Sequence, residues 1–465
     1  MQAASKDRLN AHLKAYQQEH LLAFWSDLES ESQDQLARQL DAIDFEFMQQ
    51  LHAGSREIAD LETVASRATS PAAVRLEGEA SRDSDDAHEA AGALIAAGKI
   101  GAMLVAGGQG TRLGFPHPKG MFPIGPLSDR SLFQMHIDQL LAIGAYYGVR
   151  LPLYLMTSPA THDPTLKFLQ EHDNFGLPRE DLHVFCQGTM PAVDLDGKLL
   201  LDAPDHVAES PDGHGGMLAA FCNSGCLQDA QERGLEQLFY FQVDNPLAKV
   251  CDKSLIGHHL LADSEMTTQV VAKGAPDDKV GNVVDVDGRL MVIEYSDLPA
   301  EVGERRNADG TLELWAGNIA IHVFRVDFLE RAAQSNSALP FHRARKKVPF
   351  VNERGELVEP AAPNATKFER FIFDLMSSAK NAIAVEAAEA DVFAPVKNAT
   401  GSPKDTPETA QAAILARDRL RIESSGIELA PDVAIEINPR YAYDAKTLRD
   451  KLPQGTKIDR DTYFH

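Results

Sequence analysis

The segment LVAGGQGTRLGFPHPKG, residues 104–120, holds the densest chemistry in the chain. An apolar run enters Gly107, Gly108 and Gly110, and Arg112 and Lys119 follow within reach of the same loop. Glycine lets a backbone turn sharply and approach a ligand closely, and the freed N–H groups can point at phosphate oxygens. A cradle with two added positive charges suits a triphosphate. Two commoner phosphate loops fail on spacing. The dinucleotide fingerprint needs glycine at 113, which is Leu113, and Gly114 comes one residue late. The P-loop needs Gly-Lys-Ser/Thr, whereas Lys119 stands between Pro118 and Gly120. An ordinary tight loop is the alternative for glycines alone; the strand before them and the two cations after them weigh against it.

Other polar residues stand at the ends of strand-length apolar runs. Gln187 follows HVFC, at the kind of place where open α/β sheets bind ligands. Its amide offers both a donor and an acceptor, although a solvated strand end is the commoner reading of such a residue alone. Asp244 closes LFYFQV. It suits Mg²⁺, which bridges phosphates and keeps several waters, or equally a helix cap before Asn-Pro. Glu294, Tyr295 and Asn318 are polar groups at strand ends that could discriminate hydroxyl positions. Lys397 taken alone is a surface lysine, and Phe371 and Phe373 read equally as core residues.

The elements that must position these groups follow from periodicity. Residues 1–65 show apolar residues at helical spacing, with Ser30 and Ser32 as caps between two helices. Residues 66–92 read as a long, partly helical connection. From residue 97, short apolar runs ending at Ala106, Ser158, Gln187 and Val243 alternate with stretches long enough for crossover helices. That alternation predicts an α/β fold with a mostly parallel sheet and helices on both faces. Ser131 and Gln134 open one of those helices as a capping box. Asp287-Gly288 between apolar runs predicts a hairpin, and a further extended piece follows at 312–324. The domain organisation expected is a helical N-terminal region at 1–95, a catalytic domain at 96–402 and a small C-terminal lobe at 403–465.

The 465 residues include 69 acidic and 45 basic ones, for a net charge of −24. A nonspecific nucleic-acid binder needs a basic footprint, so nucleic acid is not an expected partner. No 18-residue apolar run and no signal-like N-terminus occur, so neither a membrane partner nor secretion is expected and the location expected is cytoplasmic. Cys186, Cys222, Cys226 and Cys251 form no C-x-x-C pair and read as free thiols. Cys222 and Cys226 are spaced to share a helix face. No obligatory protein partner is evident.

The glycine-rich segment resembles the signature of the UTP-dependent sugar-1-phosphate uridylyltransferases, and the eukaryotic-type UDP-N-acetylglucosamine pyrophosphorylases most of all. The resemblance continues in order through QGTMPAV (187–193), PDGHGG (211–216), QVDNPLAKV (242–250), IEYSDL (293–298), AGNIAIHVF (316–324), KFERFIFD (367–374) and FAPVKNATG (393–401). It implies a Rossmann-like catalytic domain that binds UTP and a sugar 1-phosphate with Mg²⁺, or Mn²⁺, which accepts similar oxygen ligands. It assigns Gly107, Gly108, Gln187, Gly213, His214 and Asp244 to the nucleotide, Asp244 also to the metal, and Arg112, Lys119 and Lys397 to the reacting phosphates. It gives Glu294, Tyr295 and Asn318 to the sugar, with Phe371 and Phe373 as an aromatic wall near the N-acetyl group. At His214 the chain departs from the N-acetylhexosamine enzymes, which generally have Asn, toward the GHG of UDP-glucose enzymes. Glucose or galactose 1-phosphate is therefore the alternative substrate, and a noncatalytic UDP-sugar sensor the alternative outside enzymes. The glycine spacing opposes a nicotinamide-dependent oxidoreductase. The loops at 109–120 and 212–217 are expected to move on binding.

Overall fold

The computed structural model describes residues 2–54, 61–77, 84–335, 339–453 and 455–465. Part of the connection expected over 66–92, namely 78–83, lies outside the described residues. The chain groups into two compact units. The first comprises residues 1–61, 188–216 and 339–372, and the second comprises 62–187, 217–338 and 373–465. These edges differ from the boundaries expected at 95/96 and 402/403, because the N-terminal helices share a core with segments far along the chain.

In the first unit, the helices Gln2–Ala15, Ser30–Ala42 and Phe45–Ala53 turn an apolar face inward. Leu9, Leu13, Trp25, Leu36, Leu40 and Phe45 pack with Val193, Leu199, Val207 and Phe368. Polar seams tie the same partners together. Gln18 donates to Gly197 O and accepts from Leu199 N, and Gln39 does the same with Val207 O and N. Ser30 is the first residue of its helix rather than its cap, and Asp44, accepting from Phe47 N at 2.9 Å, starts the next one. A three-stranded sheet runs His342–Lys346, Ala365–Glu369, Val193–Asp194.

The second unit is built on a ten-stranded sheet. Its main path runs Ala73–Val74, Ala382–Glu386, Met266–Ala272, Ala316–Arg325, Gln237–Gln242, Ile100–Val105, Leu153–Thr157, Leu182–Cys186. Every pairing along it is parallel except the two made by Ala316–Arg325, which runs antiparallel to both neighbours. The strand Leu153–Thr157 is buried at every position, as a sheet covered on both faces requires. Tyr154 meets Phe221 of the helix Met217–Asn223 on one face, with ring centroids 5.2 Å apart. Leu153 and Leu155, which alternate with it, join a core that includes Phe133, Ile137 and Leu140 of the helix Leu132–Tyr147. Ser131 caps that helix through Gln134 N.

The hairpin Gly281–Val286/Arg289–Ile293 turns at Asp287 and Gly288, with φ of 54° and 81°, and joins the sheet edgewise through Ala316–Arg325. Two positive φ values in succession match the twist of the flanking strands and explain Asp-Gly there. Near the C-terminus, Ile422, Ile435, Ile437 and Leu448 gather a small core of their own. Cys222 and Cys226 fall on separate helices, Met217–Asn223 and Cys226–Glu232, because Gly225 at φ 82° breaks the run between them. Among the described residues no helix is long and apolar enough to cross a membrane.

Candidate active site

The strand Ile100–Val105 delivers the chain into the glycine turn at the carboxyl ends of its parallel neighbours. Gly107 O accepts from Ser158 Oγ at 2.7 Å, and Gly108 O accepts from Lys119 N at 3.0 Å. Between them the loop folds on itself, with Gly110 N donating to His117 O at 2.9 Å. A Cβ on Gly110 would stand 2.8 Å from Phe115 O and 2.9 Å from His117 O, so only glycine allows this closure. The closure brings Lys119 back beside Gly108. Arg112, by contrast, lies exposed on the short turn Thr111–Leu113.

Lys119 Nζ reaches Asp244 Oδ2 at 3.3 Å, and both side chains are about one-sixth exposed (16% and 15%). Asp244 is held from two sides. The preceding carbonyl, Val243 O, accepts from His136 Nε2 at 3.1 Å, and Asp244 O accepts from Val396 N at 2.8 Å. Lys397 is the next residue, and its N–H donates to Asp405 O at 2.8 Å. His136 is fully buried, and burial pushes its imidazole down to about 4, so it is neutral and donates through Nε2. Gln187 N donates to Thr157 O at 2.9 Å, and its side-chain Oε1 lies 3.1 Å from where a Cβ on Gly107 would be. The second unit therefore brings Gly107, Gly108, Lys119, Gln187, Asp244 and Lys397 to one end of the sheet. His136 and Ser158, which brace this end, carry no local sequence signal of that role.

A second group gathers around the bulged strand. Gly281 stands opposite Asn318, and a Cβ on it would come within 3.0 Å of Glu294 Oε1. The pairing with Met266–Ala272 slips between Thr268 and Val270, and Ala320 adopts φ 55°. A non-glycine residue held there costs on the order of 1–3 kcal/mol, a strain found at functional sites. Asn318 Oδ1 accepts from Ala320 N at 3.0 Å and from Thr268 Oγ1 at 3.4 Å, which fixes the amide with Nδ2 as the available donor. Tyr295 is 47% exposed.

Gly213 and His214 belong to the first unit. There Arg370 N donates to Asp212 O and Gly215 N to Arg370 O, and the Arg370 guanidinium pairs with the buried Asp212 carboxylate. Burial pushes Asp212 up even so, with Arg370 opposing. A Cβ on Gly213, already at φ 82°, would stand 2.4 Å from Arg370 O. This glycine thus has a packing reason in its own unit. His214 stacks on Phe371 at 5.3 Å, and its Nδ1 accepts from Ile372 N at 3.3 Å. Burial, and to a lesser degree His342, pushes its imidazole down to about 4. A neutral ring that accepts at Nδ1 carries its proton on Nε2. Phe371 also meets His342, at 4.5 Å, whereas Phe373 is a buried core residue of the second unit.

Among the described residues no group of three or more His, Cys, Asp or Glu side chains could hold a metal ion. Asp244 belongs to no such group. That donor set does not fit a metal caged by protein; it fits Mg²⁺ held by one carboxylate, water and substrate phosphates.

A family profile described as UTP--glucose-1-phosphate uridylyltransferase matches residues 47–431. The human UDP-N-acetylhexosamine pyrophosphorylase-like protein 1 is 36% identical over 430 residues, covering 89% of this chain and 85% of that protein. The UDP-N-acetylglucosamine pyrophosphorylase of Saccharomyces cerevisiae is 36% identical over 362 residues, covering 76% of each. The crystal structure of the uridine diphosphate N-acetylglucosamine pyrophosphorylase of Trypanosoma brucei, in complex with an inhibitor, matches with a TM-score of 0.81. That match covers 98% of both chains at 24% identity, a likeness of fold.

Proposed function

The chain belongs to the UTP-dependent sugar-1-phosphate uridylyltransferases, and from that premise we propose that it converts UTP and N-acetylglucosamine 1-phosphate to UDP-N-acetylglucosamine and pyrophosphate. The observation that carries the reading is the convergence on Asp244: Lys119 on its carboxylate and the Lys397 loop on its carbonyl, beside the glycine turn. An oxygen of the sugar phosphate attacks the α-phosphorus of UTP and expels pyrophosphate. The sugar phosphate is already ionised near neutral pH, so the reaction needs neither a protein nucleophile nor a general base. Positioning and charge stabilisation carry the catalysis.

In this reading Gly107 and Gly108 let the nucleotide approach the backbone, and Gln187 pairs with the uracil edge. The same family resemblance gives Gly213 and His214 of the first unit to the nucleotide as well. Lys119 and Arg112 hold the UTP phosphates and Lys397 the sugar phosphate. Arg112 and Lys397 are separate cations that the incoming substrates would recruit. Glu294, Tyr295 and Asn318 hold sugar hydroxyls. Asp244 would hold Mg²⁺, with Mn²⁺ as a substitute, and that ion supplies positive charge to the triphosphate. The protein works in the cytoplasm, without nucleic acid, membrane or obligatory protein partner. His214 favours glucose or galactose 1-phosphate as the second reading.

Pyrophosphate release from UTP with a panel of sugar 1-phosphates tests both. Highest kcat/KM with N-acetylglucosamine 1-phosphate supports the proposal; highest kcat/KM with glucose or galactose 1-phosphate transfers it to the second reading. UDP-sugar binding without turnover of any sugar phosphate would leave only a sensor.

A further inference from the structure

Lys273 follows the strand Met266–Ala272 and belongs to no motif. Its N–H donates to Trp315 O at 2.8 Å, and its stem lies over Gly317. A Cβ on Gly317 would meet Lys273 Cγ at 3.3 Å and Val280 Cγ2 at 2.9 Å, so the lysine crosses the strand where no side chain could intervene. Its Nζ then donates to Asn282 Oδ1 at 2.5 Å.

Asn282 is 2% exposed, and its Nδ2 donates to Ile293 O at 3.4 Å. Ile293 is the last residue of its strand, and Glu294 and Tyr295 follow directly. One register along, Gly281 faces Asn318. A line of contact therefore runs from the ammonium, through an oriented amide, to the carbonyl from which the two sugar candidates extend. An ammonium can only donate. It fixes Asn282 with oxygen toward Lys273 and nitrogen toward Ile293.

This is a poor way to build stability alone. The ammonium spends its hydrogen bond on a neutral amide. The nearby carboxylate, Asp278, is committed to Gly274 N, Ala275 N and Lys404. Burial pushes the ammonium down, against the attraction of Asp278.

We propose that Lys273 is a positioning residue for the sugar phosphate, holding Asn282 so that Glu294 and Tyr295 meet the sugar in one orientation. The proposal rests on the reading of Glu294 and Tyr295 as sugar contacts. Lys273→Met keeps the stem over Gly317 and removes the donor; Lys273→Arg restores a donor. With the full chain, UTP and N-acetylglucosamine 1-phosphate, Lys273→Met raises KM for the sugar phosphate about tenfold, the scale of one hydrogen bond to a charged group. KM for UTP stays within about twofold, UTP binding by calorimetry is retained, and Lys273→Arg recovers most of the loss. Equal rises in both KM values, unchanged kinetics, or a fall in Tm that accounts for the lost activity would overturn it. Failure of the underlying reading shows elsewhere: the unmodified chain would turn over no sugar phosphate, which removes both claims together.

Discussion

Gly108→Ala separates the folded scaffold from its ligand. A Cβ on Gly108 meets nothing within 4 Å, and its φ is not in the left-handed region. The hydrogen bond from Lys119 N uses the carbonyl of Gly108, which the methyl leaves alone. The free protein therefore loses no contact, and the stiffer unfolded chain gives about 0.4–1 kcal/mol of added stability. At roughly 2–4 °C per kcal/mol, Tm rises by at most a few degrees. The nucleotide meets the opposite situation. Carbon contacts settle near 3.5–4.0 Å, so a ligand resting on the bare backbone is pushed out by about 1 Å or more. Displacements of that size cost on the order of 100-fold in rate. The expected result is a kcat/KM for UTP reduced about 30- to 100-fold in a protein at least as stable as the original. Pyrophosphate release and differential scanning calorimetry on the same preparation measure both halves. An unchanged kcat/KM with unchanged Tm would show that nothing binds against this turn, and the placement of the nucleotide would fall with it.

Three other perturbations probe different contacts. Lys119→Met should lower turnover about 100- to 1,000-fold while Tm moves by only a few degrees, since the ion pair with Asp244 is partly solvated; a larger loss of stability than of rate would argue for a structural lysine. Gly120→Ala should instead cost folding, because a Cβ would stand 2.2 Å from Phe133 Cζ in a fully buried ring; overpacking costs about 1–3 kcal/mol or more, read as a lower denaturant midpoint. His136 and His259 are buried neutral, pushed down to about 4 and about 3 from 6.5. The unfolded chain then binds more protons below about pH 6.5, so their contribution is complete above that pH and is lost as pH falls toward 4; a Tm that stays flat from pH 7 to 4.5 would contradict this.

Local signals carried the fold a long way. The runs ending at Ala106, Ser158, Gln187 and Val243 are strands within a residue or two, and Asp287-Gly288 is the hairpin turn, because each depends on neighbours in sequence. Strand direction does not: the bulged strand Ala316–Arg325 lies antiparallel between two neighbours, and its own composition is the same either way. Nor does sequence reveal what the N-terminal helices cover, since Val193 and Phe368 lie 184 and 359 residues beyond Leu9. The glycine turn was legible because spacing limits what a backbone can do, but of the two cations after it only Lys119 folds back beside Gly108, while Arg112 lies exposed. Gln187, Asp244 and Lys397 were ambiguous alone and gained meaning only through the family pattern. Lys273 left no trace at all, since a single lysine after a strand looks like any solvated end.

The three-part core of the first unit bears on how the chain is made. Leu9, Leu13 and Trp25 leave the ribosome early, yet Phe368, which closes over them, is synthesised about 340 residues later. At about 5–20 residues per second that is a delay of roughly 17–70 seconds, during which Val193, Leu199 and Val207 arrive first and the core still lacks its last part. A fragment ending before residue 368 would therefore lack the residue that completes this core and leave part of the N-terminal helices' apolar face open to solvent.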